Sequence, residues 1–283
     1  MVKIKPDQAN APAAGAKAAA KATAGGHKSG KGKTDEAATR PPLGALARHQ
    51  ELVDGANKHL LANLKDPQRA ALIKRHEKAQ NPDYFVLCCA DSRYEPKDVF
   101  HMESGRFFTF RNAGNMVTGE PATPRFDPGM AGTLAYALQV LKVKHIVILG
   151  HTGCGLVKAV MDQARSKERG GPSLALHEWT LRWMEHAGRL KEQVNAHYQF
   201  GSEAEEDLAA VGEHVMRQVE RVRSLDIVRQ AFDAGDLHDV TGAVYEIHNT
   251  GNVAVWDDDQ GKFVSLTPSR QTSLPERHSS AED

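Results

Sequence analysis

Three cysteines in 283 residues are too few, and odd in number, for a disulfide framework. Cys88, Cys89 and Cys154 are therefore read as core filler, nucleophiles or metal ligands. No apolar run approaches the roughly 18 residues that a spanning helix needs, and no apolar stretch typical of a secretory signal stands near Met1. A cytoplasmic protein that does not enter a membrane is expected. Charge of one sign is also missing: Lys+Arg and Asp+Glu stand at 36 each, so no global field draws the chain to nucleic acid. The first 40 residues lack an apolar face altogether. Stretches such as KSGKGKTDEAATRPP cannot bury enough surface to offset the entropy of ordering, which predicts a disordered Ala/Lys/Gly-rich tail over 1–40. The polar end, 271–283, is read as a second flexible tail.

Between these ends the hydrophobic pattern is periodic. Leu46, Leu52, Ala56, Leu60 and Leu64 mark one or two amphipathic helices ending near Pro67, and a further helix is predicted over 68–79. YFVLCC (84–89) is a short apolar run after a proline and reads as a buried strand; RFFTFR (106–111) reads as another. Glycine and prolines make 118–129 a loop. Met130, Leu134, Leu138 and Leu141 then line one face of a helix. VKHIVIL (143–149) is the clearest strand, followed by Gly150–Gly155 and a helix through Leu156, Val157, Val160 and Met161. Helical patterns run over about 173–197 and 208–234, separated by polar GSEAEED. Two further strands, 240–247 and 252–256, flank HNTG as a hairpin. Strands alternating with helices predict one α/β domain over 41–270, a mainly parallel sheet flanked by helices with an antiparallel edge strand.

Ligands of such sheets gather at the carboxyl ends of the strands. Two predicted strands end in metal-ligand chemistry: Cys89-Ala90-Asp91-Ser92-Arg93 and His151-Thr152-Gly153-Cys154. Thiolates and an imidazole suit zinc, and a carboxylate can complete its tetrahedron. Cys88 and Cys89 are adjacent, so on a strand they face opposite sides and only one can be a ligand; Cys88 is read as core filler. The rival reading of GHTGCG as a phosphate-cradling turn lacks both the Walker lysine and the G-x-G-x-x-G spacing.

These motifs closely resemble the two signatures of the β-carbonic anhydrases, which stand here as CADSR (89–93) and HTGCG (151–155). FTFRNAGNMV (108–117) and GAVYEIHNTGNVAV (242–255) are similar to the family's intervening strand-and-turn and its closing hairpin, so the resemblance covers about 45–265. It implies a zinc-dependent carbonate dehydratase that reversibly hydrates carbon dioxide to bicarbonate and a proton by zinc-bound hydroxide. Cys89, His151 and Cys154 would be constant Zn2+ ligands. Asp91 and Arg93 would be the catalytic dyad, with Asp91 a fourth ligand when that pair is broken. Gln80, Phe108, Tyr136 and the Gly155 N–H would form the substrate pocket, and the chain would be a homodimer or a multiple of dimers. Where relatives with an inhibitory bicarbonate site carry Trp, this chain has Val86, although Arg111 matches that site's Arg, so an open resting site is expected. Hydrolysis of carbonyl sulfide or carbon disulfide on the same fold, and a non-catalytic zinc-binding scaffold, are the alternatives.

Overall fold

The computed structural model describes residues 45–118 and 127–278. The expected tail over 1–40, and the end of the chain from 279, lie outside the described residues. The chain divides into two compact units, Met1–Lys65 and Asp66–Asp283. In the first, α1 (Ala45–Lys65) is an amphipathic helix whose Leu52, Leu60, Leu61 and Leu64 are all exposed. The sequence reading joined this helix to the α/β domain; it falls outside the unit that holds the sheet.

In the second unit α2 (Pro67–His76) begins at Asp66, whose carboxylate accepts from the N–H groups of Gln68 and Arg69, with Pro67 in the first turn. A six-stranded sheet follows, in the order β2-β1-β3-β4-β5-β6. Its strands are β1 (Tyr84–Cys89), β2 (Phe107–Asn112), β3 (His145–His151), β4 (Asp239–Glu246), β5 (Asn252–Asp257) and β6 (Lys262–Ser265). The first four are mutually parallel; β5 and β6 run antiparallel. The sheet is thus mixed and mostly parallel, with two antiparallel strands at one end where one was expected. The extra strand, β6, has only four residues.

Helices cover the sheet: α3 (Pro96–Val99), α4 (Pro128–Gln139), α5 (Gly155–Glu168), α6 (Glu178–Met184), α7 (Leu190–His197), α8 (Glu203–Arg223) and α9 (Asp226–Asp233). The helix expected over 173–197 is broken by a 3-10 turn and by Gly188 at φ +62°. GSEAEED does not only interrupt helices. Ser202 accepts from the N–H of Glu205, and the acidic run fills the first turn of α8, where the helix dipole favours it. Of the loop expected over 118–129, residues 119–126 lie outside the described residues, and α4 already starts at Pro128 behind its Asp127 cap.

Alternation along β1 sends Phe85, Leu87 and Cys89 into the main core beneath α8, and Val86 and Cys88 into a smaller cluster on the opposite face. Helix α8 lies close on the sheet because two strands carry glycine where it crosses. A Cβ on Gly150 of β3 would stand 2.4 Å from Val215 Cγ2, and one on Gly242 of β4 would stand 2.9 Å from Val215 Cγ1. The stretch 271–278, read from composition as part of a flexible tail, is docked. Leu274 is buried; Arg277 donates to Glu213 of α8, and the His278 N–H donates to the His197 carbonyl. Buried partners, not local hydrophobicity, hold it.

Gly150→Ala is expected to destabilise the fold by about 1–3 kcal/mol, the usual range for overpacking a close contact. Denaturant midpoints measure this, and adding Val215→Ala should recover part of the loss. An unchanged midpoint in Gly150→Ala would show that α8 does not sit this close.

Candidate metal centre

Strands β1 and β3 are neighbours in register, Cys88 opposite Leu149, so Cys89 and His151 leave the sheet at the same edge. A tight turn through Gly153, at φ +67°, brings Cys154 to the cap position of α5. The ligand atoms of Cys89, His151 and Cys154 all lie within 4.8 Å of one another, and all three residues are buried. The two sulfurs are 4.0 Å apart. That is twice a disulfide bond, but close to the about 3.8 Å expected for two thiolates on one tetrahedral zinc at about 2.3 Å each.

His151 supplies the second test of fit. Its Nδ1 faces the Thr152 carbonyl at 3.1 Å, which can only accept, so Nδ1 carries the proton and Nε2 presents a lone pair. Nε2 is completely buried and has no hydrogen-bond partner among the described residues. A buried imidazole nitrogen without a partner costs free energy, and a metal ion would satisfy it. Two sulfurs and one such nitrogen form a donor set suited to zinc.

The thiols are electrostatically linked. The Cys154 thiol, donating to Cys89, pulls the Cys89 pKa well below the ordinary thiol range, helped by His151 and the Gly114 N–H. The same bond, followed by burial, raises Cys154. One proton is shared between two sulfurs, so the pair titrates as a unit and the site is poised to lose that proton to a cation. Cys88, on the other face, is pushed up to about 12 by burial and stays a thiol.

Asp91 does not join the three-residue cluster. Its oxygens accept from Arg93 Nε and Nη2 at 2.9 and 2.8 Å, and Oδ2 stands 3.7 Å from His151 Nε2. Arg93 also donates to the Gly153 carbonyl, which ties the loop after β1 to the loop after β3. The guanidinium holds Asp91 down at about 2. Gly155 opens α5, and a side chain there would meet open space.

The other expected pocket residues lie elsewhere in the chain. Phe108 pairs with Phe85, four residues before Cys89, or about 13 Å along the strand. Its ring packs on that of half-exposed Tyr136, with centroids 5.9 Å apart. Gln80 is exposed on the segment that enters β1 at the end opposite Cys89. The structure does not bring these three to the metal centre of their own chain, because strand direction separates them from it.

The carbonic anhydrase family model matches residues 84–253, and the carbonic anhydrase of Pseudomonas aeruginosa is 32% identical over 71% of this chain and 84% of its own. The chain belongs to the β-carbonic anhydrase family. Carbonic anhydrase 1 of Escherichia coli O157:H7 is 31% identical over 82% of this chain and 99% of its own. Among solved structures, the β-carbonic anhydrase CcaA superposes with a TM-score of 0.65 at 23% identity, over 81% of this chain and 95% of that one, a likeness of fold. Enzymes of the family are zinc lyases whose general activity is hydration of carbon dioxide. No described helix is long and apolar enough to cross a membrane.

Several residues at this β-carbonic anhydrase centre escape motif reading. Tyr94 Oη accepts from the Cys89 N–H. His248 Nδ1 and Thr152 Oγ1 are hydrogen-bonded at 2.8 Å. Arg111, matched in sequence to an anion site, spends its donors on the carbonyls of Cys89, Asp91 and Tyr94 and on Glu95, and so shapes the loop that presents Asp91.

A carboxyl held below its unfolded pKa lends stability at neutral pH that is lost as pH falls from about 4, the ordinary Asp value, towards about 2. In the metal-free chain Asp91 should stay ionised through pH 4. In Arg93→Ala it should begin taking up a proton between about pH 5 and 4. NMR titration of the Asp91 carboxyl reads this directly, and identical titrations in the two chains would deny the pairing.

Proposed function

We propose that this chain interconverts carbon dioxide and bicarbonate, with zinc held by Cys89, His151 and Cys154. The observation that carries the reading is the Asp91–Arg93 pair beside the orphaned His151 Nε2. A purely structural zinc closes its tetrahedron with a fourth protein ligand. Here the carboxylate best placed to be that ligand is held by a guanidinium. Zinc, when bound, supplies the Lewis acidity that lowers the pKa of water from about 16 to about 7.

The protein's own groups supply orientation. Asp91, with both oxygens fixed by Arg93, accepts a hydrogen bond from the attacking oxygen and turns its lone pair toward carbon dioxide. The Gly155 N–H, in the first turn of α5, stabilises charge gathering on the substrate oxygen. Bicarbonate then leaves, and the proton passes to buffer.

The remote pocket residues fit the same reading if the working unit is a dimer. Gln80 and Tyr136 are exposed, and Phe108 stands on the edge strand β2, so they suit the wall of a second copy's centre. The exposed leucines of α1 offer a further apolar face for a second copy. The Asp66–Asp283 unit carries the chemistry.

Cys154→Ser is expected to lose stoichiometric zinc and all hydration activity, whereas Asp91→Asn should keep zinc and lose turnover. Metal analysis and stopped-flow hydration on the same samples check both, and full activity with one zinc in Cys154→Ser would refute the ligand set. Parallel measurement of sulfide release from carbonyl sulfide and carbon disulfide tests the alternative substrates.

With Val86 in place of Trp, and Arg111 engaged by Glu95 and three carbonyls, no inhibitory bicarbonate lock is expected. Activity should persist near pH 7. A steep, cooperative loss below pH 8 in the pH–rate profile would contradict this.

A further inference from the structure

The turn after β2 touches the metal cluster at one point. The Gly114 N–H donates to Cys89 Sγ at 3.2 Å. An N–H aimed at a thiolate stabilises its charge and fixes the direction of its remaining lone pairs, so whatever aims this N–H tunes the ligand. Glycine alone does not aim it. Gly114 sits at φ +80°, where its backbone is least restrained by its own sterics, and a Cβ there would collide with Leu156 Cδ2 at 2.5 Å.

Side chains from two other elements supply the restraint. The peptide unit that carries the Gly114 N–H has the Ala113 carbonyl on its other side, and that carbonyl accepts from Trp183 Nε1 at 2.8 Å. Trp183 → Ala113 C=O / Gly114 N–H → Cys89 Sγ is therefore one hydrogen-bonded line through a single amide, and each bond polarises the next. The following peptide is held as well. The Gly114 carbonyl accepts from His214 Nε2 at 2.7 Å.

His214 is fully buried on α8. Because a carbonyl only accepts, its Nε2 carries the proton; its Nδ1 has no hydrogen-bond partner among the described residues. A buried imidazole that makes one hydrogen bond is an expensive core residue, and its one bond is to the glycine over the cluster. One turn along the helix, Gln218 accepts from the Val117 N–H, and Arg221 donates to the Val117 carbonyl. The turn is thus gripped at both ends from α8.

We infer that Trp183 and His214 are positioning residues for the metal centre, clamping the two peptides around Gly114 so that its N–H holds the Cys89 thiolate in ligating geometry. The inference rests on zinc being the resident ion. Neither side chain touches substrate or metal, and the motif signatures include neither.

The test uses the full-length chain and reads zinc affinity by chelator competition, together with the thiolate-to-metal charge-transfer band of the cobalt-loaded protein. Trp183→Phe and His214→Leu should each weaken zinc binding about 10- to 100-fold, the usual effect of losing a partner behind a ligand. Each should also shift the cobalt band, and the double variant should lose less than the product of the two. His214→Gln, which keeps an N–H donor, should recover most of both signals. Val228→Ala, in a buried position on α9, serves as a matched control: it lowers stability without altering affinity or spectrum. Wild-type affinity and spectrum in Trp183→Phe and His214→Leu would overturn the inference, as would an equal loss in Val228→Ala. Should the wild-type chain take up no zinc, the functional reading falls first; normal uptake with unaltered variants defeats the clamp alone.

Discussion

Parallel pairing of β1 with β3 is the constraint from which the metal centre follows. Two neighbouring strands running the same way end at the same edge, and their register sets Cys89 one residue short of the level of His151. A slip of one residue would turn Cys89 to the face now occupied by Cys88 and remove a ligand. The site therefore needs no long loop to assemble. Only Cys154 depends on a turn, and that turn is three residues long, with glycine in the left-handed conformation it requires.

What surrounds the ligands is a set of ties between segments distant in sequence. Arg93 joins the loop after β1 to the loop after β3, and Arg111 gathers three carbonyls of the former. Helix α8 can tie the turn after β2 because Gly150 and Gly242 let it approach. Buried polar side chains on α8 would be costly in an isolated helix. Here His214 and Gln218 meet backbone groups of the turn after β2, at Gly114 and Val117, and Glu206 and Glu213 meet basic side chains. Rigidity at the metal is thus obtained from polar groups inside an apolar layer.

Much of this was legible in the residues. YFVLCC and VKHIVIL are apolar runs too short for helices, and the chemistry following each is compressed into five residues. The adjacency of Cys88 and Cys89 assigns them to opposite faces without any structure. Helix limits were less legible. Acidic SEAEED reads as a break by composition, yet it is the favoured charge for a first turn, and Gly188 splits a helical pattern that leucine spacing alone continues. The position of Phe108, Tyr136 and Gln80 was hidden for another reason. Motif spacing proposes which residues belong to a site, but strand direction decides whether one chain can bring them to it. His214 and Gln218 left a weak trace as polar residues, four apart, within an otherwise apolar helical stripe.

One carboxyl at the last position of β4 has no basic hydrogen-bond partner among the described residues. Glu246 is fully buried and accepts instead from the side chains of Asn249, Asn252, Thr272 and Ser273 and from the Ser273 N–H. Two of these residues belong to the last stretch of the described chain. Ile247 and His248, next in sequence, border a cavity of about 360 Å³ that reaches Arg93, Gly153 and Cys154. Thr272 and Ser273 in this way help to fix the strand end that leads into the wall of that cavity. A chain cut before Thr272 would strip three of the five donors from this buried carboxyl, one residue from the wall of that cavity.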